Sequence, residues 1–239
     1  MVIDLSGGTS ATTYPVSYLD AVPSGGWSDT YRTTKLVLRR CEAGTFTMDG
    51  YGASKSHKVI LTRPFYIGIF ELTQKQYLQV TGENPSYHVG NMLPVEYMTW
   101  LDIRSGSGTF IGRLKKRSGY DSIDLPTEAQ WEYAGKGGGK LGGVAASGAP
   151  SKVGSKAANG WGIYDMQGNV NEWMLDGYYE YGTGTCTDPM GSDDEVRVIK
   201  GGYYGQTGSD ACNKIGYRTN DHQSCRHQYT GFRVCVTVK

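Results

Sequence analysis

The sequence predicts one compact domain with many turns, in which strands and short helices are joined by much irregular structure. Its 239 residues exceed an average domain, but loop-rich folds of this size commonly stay undivided. The chain contains 35 glycines, roughly twice the ordinary share, while its charged and apolar fractions are close to normal. These observations favour a folded protein with many turns over a disordered one.

The first regular elements are predicted to be strands. Residues 35–48 mix β-forming residues with a turn at Ala43 and Gly44, and residues 59–71 form a second strand-rich run. We interpret both runs as parts of a β-meander. Residues 1–35 are expected to pack on it as an N-terminal extension of a single domain over residues 1–239.

Capping signals predict the helices that follow. Thr73 precedes Gln76 at capping-box spacing, which predicts a helix over Gln74–Thr81. Thr99 begins a second helical region, which the Ser-Gly-Ser-Gly run at 105–108 should break or frame.

A third helix is predicted after Pro126, where Thr127 precedes Gln130 at the same spacing and Gly135 supplies a stop. Residues 135–162 are rich in glycine, alanine and serine, so we expect an irregular loop with little burial. The alternation at 232–238 predicts a final strand.

The charge balance limits the classes of partner. The chain has 24 basic and 23 acidic residues and a formal net charge of +1. This gives no electrostatic preference for nucleic acid or an acidic membrane, and we expect a protein or cell-surface ligand instead. No apolar run is long enough to cross a bilayer, and residues 1–10 lack the features of a signal peptide. We expect a monomer without a transmembrane segment.

The cysteines are too few and too scattered for a disulfide framework in a chain of this length. No CxxC pair supports a zinc ribbon or a thioredoxin-type redox site. At least one thiol is expected to be free or to pair outside the chain. The cysteines are Cys41, Cys186, Cys212, Cys225 and Cys235.

Seven motifs follow one another over most of the chain from about residue 36. They are AGTFTM at 43–48, FYIGIFELTQKQY at 65–77, LPVEYMTW at 93–100, LPTEAQWEYAGKGG at 125–138, GWGIYDMQGNVNEW at 160–173, RVIKGG at 197–202 and GFR at 231–233. In this order they resemble the formylglycine-generating-enzyme (sulfatase-modifying factor) family. The resemblance implies a C-type lectin-like fold of the α+β class. It does not by itself imply an activity, because one fold hosts many functions.

The enzymes of this family use two closely spaced cysteines, shortly after the Gly-Gly pair, to hold copper and activate oxygen. Here Gly201 and Gly202 are followed by two tyrosines, and the next cysteines, Cys212 and Cys225, are widely separated. A copper(I) site needs two converging thiolates. We therefore expect that the protein is not an enzyme.

Some family members bind calcium through a loop that matches DMQGNVNE. The resemblance implies as ligands the side chains of Asp165 and Glu172 and the carbonyls of Gly168 and Val170, since calcium prefers hard oxygens. Only two carboxylates are present, so we favour the alternative that these polar side chains cap turns around a buried Trp173.

A zinc site is a further alternative, because its ligand types occur at Cys212, His222, Cys225 and His227. Their spacing is unlike the usual finger or ribbon, and we expect unrelated surface residues. No metal and no cofactor are therefore predicted.

The stretch from Tyr203 to Tyr229 has neither strand nor helix periodicity. Its tyrosines and small polar residues are typical of recognition surfaces, where tyrosine gives rigid contact area and small polar residues adapt. The stretch is similar to the variable proteins of diversity-generating retroelements, which mutate adenines in template codons such as AAC. Such codons can give Tyr, Asn, Asp, His, Cys, Gly, Ser or Thr. The resemblance implies that residues 197–239 form a C-terminal recognition segment.

The predicted ligand-binding residues share these AAC-accessible types. They are Tyr203, Tyr204, Gly205, Asp210, Cys212, Asn213, Tyr217, Asn220, Asp221, His222, Cys225, His227 and Tyr229. Tyr204 stands where the family usually has a buried aromatic residue. Arg218, Arg226 and Arg233 are assigned to the framework, where guanidinium groups can tie irregular backbone together.

These observations predict a non-enzymatic, receptor-like protein that is displayed at the cell surface and binds a ligand that the sequence does not name. One alternative is an ordinary edge loop of a catalytically inactive paralogue, with no dedicated ligand. An alternative from another class is a metal-dependent oxidase that converts a protein cysteine to formylglycine.

Overall fold

A computed structural model describes residues 1–207 and 209–239, and these residues form three β-sheets and four α-helices. The strands are β1 (Val2–Asp4), β2 (Val16–Ser17), β3 (Lys35–Cys41), β4 (Gly44–Met48), β5 (His57–Leu61), β6 (Phe65–Gly68), β7 (Ile123–Asp124), β8 (Asn171–Gly177), β9 (Cys186–Thr187), β10 (Val196–Lys200), β11 (Thr219–His222), β12 (Thr230–Gly231) and β13 (Cys235–Thr237). The helices are α1 (Gln74–Thr81), α2 (Trp100–Arg104), α3 (Phe110–Ser118) and α4 (Glu128–Gly135). The predicted α+β class is confirmed.

The order of the strands brings distant parts of the chain together. The six-stranded sheet has the order β2-β1-β3-β6-β13-β7, the four-stranded sheet β11-β10-β8-β12 and the three-stranded sheet β4-β5-β9. In the first sheet β1 pairs antiparallel with β3, so that Val2 lies opposite Val37, and β13 pairs with β6, so that Cys235 lies opposite Ile67. The two ends of the chain are therefore built into the same sheet.

The meander interpretation of the early strands is wrong in its topology. After β3 the chain leaves the six-stranded sheet, forms the antiparallel pair β4 and β5, and returns as β6 beside β3. Local strand propensity identified these strands but carries no information on which sheet each one joins.

The predicted capping boxes are present at the two strongest helix starts. The Thr73 hydroxyl accepts a hydrogen bond from the Gln76 amide at 3.2 Å, and the Thr127 hydroxyl accepts one from the Gln130 amide at 3.1 Å. Helix α1 has the predicted bounds. Helix α4 includes Gly135 as its last residue, one position beyond the expected stop.

The glycine-rich region at 135–162 is largely irregular, as predicted, but the expectation of little burial is wrong. Val153 is fully buried, and Ala145 forms an isolated parallel bridge with Gly168. Gly168 has a φ of +86°, and a Cβ built there would lie 2.4 Å from the Ala145 carbonyl oxygen. Glycine thus allows a close backbone approach that pulls part of the loop into the interior.

Trp131 and Trp173 lie at the centre of the two largest apolar clusters, and neither is exposed. The Trp173 cluster includes Ile199 and Phe232, so the interior connects β8 and β10 to the C-terminal end of the chain. Within the described residues, no helix is both long and apolar enough to cross a membrane.

Candidate functional site

The C-terminal recognition segment, residues 197–239, starts in the four-stranded sheet. Strand β10 pairs antiparallel with β11, so that Arg197 lies opposite Asp221 and Ile199 opposite Thr219. Residues 197–200 of β10 are buried, whereas β11 is the edge strand and each of its residues is exposed or half-buried. The hairpin therefore presents side chains of β11 at the surface on a backbone fixed by a buried neighbour.

A buried network of charged side chains supports strands β10 and β11. Arg218 is fully buried and donates to both carboxylate oxygens of Glu128, at 2.9 and 2.7 Å. Lys200, also fully buried, lies 3.4 Å from Glu128 and 3.0 Å from Glu132. Paired and hydrogen-bonded charges are the form in which buried ions are tolerated, and breaking such a pair would leave a charge uncompensated.

A second buried pair holds the DMQGNVNE loop. Arg233 donates to both oxygens of Glu172, at 2.6 and 2.7 Å, and the Trp131 indole donates to Glu172 at 2.9 Å. Asp165 accepts a hydrogen bond from the Gly154 amide. Of the two carboxylates that the resemblance implied as calcium ligands, Glu172 contacts protein donors through both oxygens, whereas Asp165 accepts through Oδ2 and its buried Oδ1 has no hydrogen-bond partner.

Arg226 differs from the other two arginines that the sequence assigned to the framework. Its side chain is half exposed, and its ion pair is with the surface carboxylate of Asp102 at 3.2 Å. The assignment of Arg226 to the framework is therefore wrong. Residue type alone does not distinguish an arginine that is buried in an ion pair from one at the surface.

Three predicted ligand-binding residues form one ring stack, and a fourth, Asp221, contacts it through its carboxylate. The rings of Tyr203 and Tyr229 lie 4.5 Å apart, and those of His227 and Tyr229 lie 4.9 Å apart with an interplanar angle of 12°. His227 Nε2 lies 2.6 Å from a carboxylate oxygen of Asp221. All four side chains are half-buried, so each offers part of its surface to solvent.

Seven further candidates lie at the surface outside this stack. Gly205, Asn220 and His222 are exposed, and His222 lies 3.2 Å from Glu195. Tyr217 packs its ring on Tyr51 at 4.7 Å, away from the stacked rings. The other three candidates are half-buried; they are Asp210, Cys212 and Cys225.

Two candidates depart from the expected solvent-facing position. Tyr204 is buried and its hydroxyl donates to the Gln228 carbonyl at 3.4 Å. Asn213 is also buried, and its amide donates to the Thr207 carbonyl at 2.6 Å. Both side chains hold the irregular backbone of the segment together, a role that an amide or a phenol can fill through local hydrogen bonds.

Sequence reasoning missed three aromatic residues that extend the stack. His88 packs edge-on against Tyr204 at 5.5 Å and against Tyr87 at 5.0 Å, and Tyr87 lies 6.4 Å from Tyr97. Tyr87 is 65 % exposed and Tyr97 42 %. We call the seven connected rings the aromatic row; they belong to Tyr87, His88, Tyr97, Tyr203, Tyr204, His227 and Tyr229.

Tyr97 is held in an uncommon conformation at one end of this row. It has a φ of +63°, and its amide donates to the His227 carbonyl at 3.1 Å. A non-glycine residue in this region is strained and persists only where its surroundings fix it. The neighbouring Glu96 is fully buried and accepts from the His88 amide at 2.7 Å; burial raises the pKa of its carboxyl group.

Other buried carboxylates lie beneath the site. Burial raises the pKa of Glu71 well above its ordinary value, and it raises the pKa of Asp165 to about 6 and that of Asp176 to about 7. Among the residues that the structure describes, no group of three or more His, Cys, Asp or Glu side chains is arranged to hold a metal ion.

The family of the chain follows from its sequence match. The family described as "Sulfatase-modifying factor enzyme 1-like domain" matches residues 28–149 and 144–238. The chain belongs to this family. The resemblance inferred from the seven motifs is thereby confirmed, and the match covers most of this chain.

Curated relatives carry varied names. The chaperone protein LppX of Paenibacillus barcinonensis is 27 % identical over 78 % of this chain and 84 % of its own length. The serine/threonine-protein kinase pkn1 of Chlamydia pneumoniae is 27 % identical over 86 % of this chain, but the match covers only 38 % of the kinase. The sulfatase-modifying-factor domain therefore occurs in proteins with different names and different lengths.

Solved structures share the fold. Treponema denticola variable protein 1 matches 94 % of this chain and all of its own, with a TM-score of 0.74 and 24 % identity. PvdO from Pseudomonas aeruginosa matches 93 % of this chain and all of its own, with a TM-score of 0.72 and 23 % identity. The C-type lectin-like fold of the sulfatase-modifying-factor family, predicted from the motifs, is confirmed.

The cysteines do not fit the copper chemistry of the enzymes of this family. Cys212 lies in the short 3₁₀ helix Ala211–Asn213, and Cys225 lies in the turn after β11. Burial raises the pKa of Cys212, and a hydrogen bond with Asp221 raises that of Cys225. A copper(I) site needs two thiolates that converge on one ion, whereas these two cysteines lie on separate elements.

Proposed function

We propose that the protein is a non-enzymatic, ligand-binding member of its family and that the C-terminal recognition segment forms its binding surface. The aromatic row carries this proposal. It connects four of the predicted ligand-binding residues with three further rings, beside strand β11, where Asp221 lies 2.6 Å from His227, in a segment that a buried charge network supports. A fold shared with a variable protein over 94 % of the chain supports the same interpretation.

The shape of the row favours a protein or another large cell-surface ligand. Small-molecule sites are usually concave and cover most of their ligand. Tyr87 and Tyr97 instead protrude, and rigid aromatic side chains with a polar end are typical anchors at protein interfaces. We infer that these two residues insert into a partner that supplies the concave surface.

The surface combines a fixed part and a variable part. Tyr87, His88 and Tyr97 come from the segment between α1 and α2, which lies outside the C-terminal recognition segment. Tyr203, His227 and Tyr229 are of the residue types that a mutated AAC codon can give. We infer diversification by a retroelement that changes the second group against the constant background of the first. A near-identical template repeat beside a reverse transcriptase gene would support this inference, and a locus with neither would contradict it.

Display at the cell surface follows from the same proposal, because a diversified surface is useful where it meets external ligands. We also propose that residues 1–239 act as one monomeric domain. External protease should cleave the protein on intact cells, whereas protection from protease in the cytosol would contradict surface display.

Binding by a multiply substituted variant tests the function. Tyr217, Asp221, His222, His227 and Tyr229 are replaced together by other AAC-accessible residues, and a control carries glutamine at three exposed positions outside the segment, Lys58, Lys116 and Glu180. A partner isolated with the parent from a cell-surface extract and then purified should lose affinity for the variant at least tenfold, roughly the effect of one charge-assisted hydrogen bond. The control should bind like the parent.

Equal affinity of the parent and the multiple variant would refute the proposed surface. Metal analysis supplies the second arm of the test: stoichiometric copper or iron in the purified protein would favour the metal-dependent oxidase instead.

A further inference from the structure

Two consecutive arginines on β3 have different surroundings. Arg40 is exposed and pairs with Glu42, with 2.9 Å between Nε and a carboxylate oxygen. Arg39 points to the other side of the strand and is half-buried. Across residues 1–207 and 209–239, no salt bridge involves Arg39, and its buried Nε has no hydrogen-bond partner.

A guanidinium group in this situation lowers the stability of the fold. It remains charged at any ordinary pH and carries N–H donors that need acceptors. A buried donor without an acceptor costs free energy, because its hydrogen bonds to water are lost and not replaced. An apolar side chain at position 39 would pack on β3 at a lower cost in folding free energy. The stability of the fold therefore does not explain the charge of Arg39.

Arg39 lines a surface cavity of about 570 Å³ on one side of β3. The same cavity is lined by the half-buried Trp161 and by Gly162. Its charged residues are Arg39, Arg40 and Glu42, and because Arg40 neutralises Glu42, the charge of Arg39 is uncompensated. The wall of the cavity is therefore positive.

The backbone beside Arg39 leaves room for the guanidinium group. Gly162 has a φ of +74°, and a Cβ built on it would lie 3.0 Å from Nη2 of Arg39. The turn that carries Gly162 is fixed by Asn159, whose side-chain oxygen accepts from the amides of Trp161 and Ile163, each at 3.0 Å. The turn that carries the aromatic wall is thus held in place beside the guanidinium group before any ligand binds.

We propose that Arg39 anchors an anion-binding site in this cavity, for a small molecule that carries a carboxylate or a phosphate group. A guanidinium group binds either anion through two parallel hydrogen bonds, and Trp161 offers an apolar face to the rest of the molecule. The site lies outside the C-terminal recognition segment, so this inference is independent of the proposed ligand-binding surface.

Thermal unfolding of the whole protein with sodium phosphate and sodium benzoate as probes tests the site, with sodium chloride added to keep the ionic strength constant. A ligand that binds the folded state raises the melting temperature as its concentration increases. We expect such a rise for the parent and for Lys58→Gln, an exposed position outside the cavity lining, with apparent affinity reduced by about tenfold or more in Arg39→Gln, the loss typical of a charge-assisted hydrogen bond. A rise with phosphate alone would assign the site to phosphate groups, and a rise with benzoate alone would assign it to carboxylates.

Two outcomes would overturn the proposal. At least one probe must raise the melting temperature more than sodium chloride does at the same ionic strength. Equal melting curves in all three salts would therefore exclude the site. An equal loss in Lys58→Gln and Arg39→Gln would indicate general surface attraction. Arg39→Met supplies a further criterion without any probe: it should melt at or above the temperature of the parent, whereas an arginine needed for folding would lower it. Arg39→Lys should fold and bind the probes more weakly than the parent, because lysine keeps the charge but loses the paired donors.

Discussion

The buried framework and the aromatic row hold their side chains in opposite ways. Arg218 and Arg233 are fully buried, and each donates several hydrogen bonds to carboxylates and carbonyls. Tyr203, His227 and Tyr229 are half-buried and contact one another by ring stacking. A side chain fixed through a buried charge has one acceptable identity, whereas a partly exposed ring can be exchanged. The comparison predicts that substitutions at these rings leave the fold intact, whereas substitutions at the buried arginines do not.

The largest difference between the two regions is expected for the core tryptophans. Trp131→Ala and Trp173→Ala should each lower the free energy of unfolding by about 3–5 kcal/mol, because both side chains are fully buried. Denaturant titration measures the effect, with the half-buried Trp27→Ala as a control that should lose less. If the denaturant midpoints of Trp131→Ala and Trp173→Ala lay within error of the parent, these two tryptophans would not belong to the core.

Arginine substitutions sharpen the comparison within the C-terminal recognition segment. Arg218→Ala should cost about 3–5 kcal/mol, since it leaves Glu128 buried with a lost partner. Arg226→Ala should cost at most about 1 kcal/mol, because its ion pair with Asp102 is exposed. Phe232→Ala, which opens the core, should resemble Arg218→Ala. If Arg218→Ala and Arg226→Ala lowered the free energy of unfolding by similar amounts, the distinction between framework and surface arginines would be wrong.

The pH dependence of stability offers a smaller, directional effect. The pKa of Asp176 rises from its ordinary value of 3.8 to about 7 because the group is buried and lies near Glu128. The folded state therefore favours the protonated acid: the stability contribution is complete below the ordinary pKa and is lost as pH rises through 7. The unfolding free energy of the parent should fall relative to Asp176→Asn over this range.

The exposed Asp121→Asn is the matched control for that measurement, and its difference from the parent should stay constant across the same range. A difference between the parent and Asp176→Asn that is independent of pH, or that grows in favour of the parent at higher pH, would contradict the raised pKa.

The smallest effect on stability is expected for the multiple variant at Tyr217, Asp221, His222, His227 and Tyr229. Each of these side chains is half-buried or exposed, and surface substitutions usually stay within about ±0.5 kcal/mol. The melting temperature of the variant should therefore fall less than that of Trp131→Ala. An unfolded variant would show that the residues are structural.

The parts of the fold that could be predicted from sequence depend on contacts within a few residues. The bounds of α1 follow from Thr73 and Gln76, which interact three positions apart. The sheet membership of β4 and the burial of Val153 depend instead on distant partners, and no local pattern encodes them. The overall fold could be predicted from the family motifs, because proteins that share these motifs also share the distant contacts of the fold.

The candidate site was only partly predictable for the same reason. Residue type identified Tyr203, His227 and Tyr229, and the structure places these rings together. Nothing in the segment around Tyr87 and Tyr97 indicates that it lies beside residues far along the chain, since a loop between two helices has no periodicity to read. Composition also could not show that Tyr204 and Asn213 turn inward.

Strand β13 occupies an interior position of the six-stranded sheet, between β6 and β7, although it is the last of the strands described along residues 1–239. Every residue of the aromatic row precedes it. A ribosome that stops or shifts frame within the row yields a polypeptide whose sheet is split between β6 and β7, with unpaired edges on both sides of the gap. Such a product cannot complete the fold and is open to proteolysis. Because β13 follows every residue of the aromatic row, a chain that completes this sheet has been translated through the whole row.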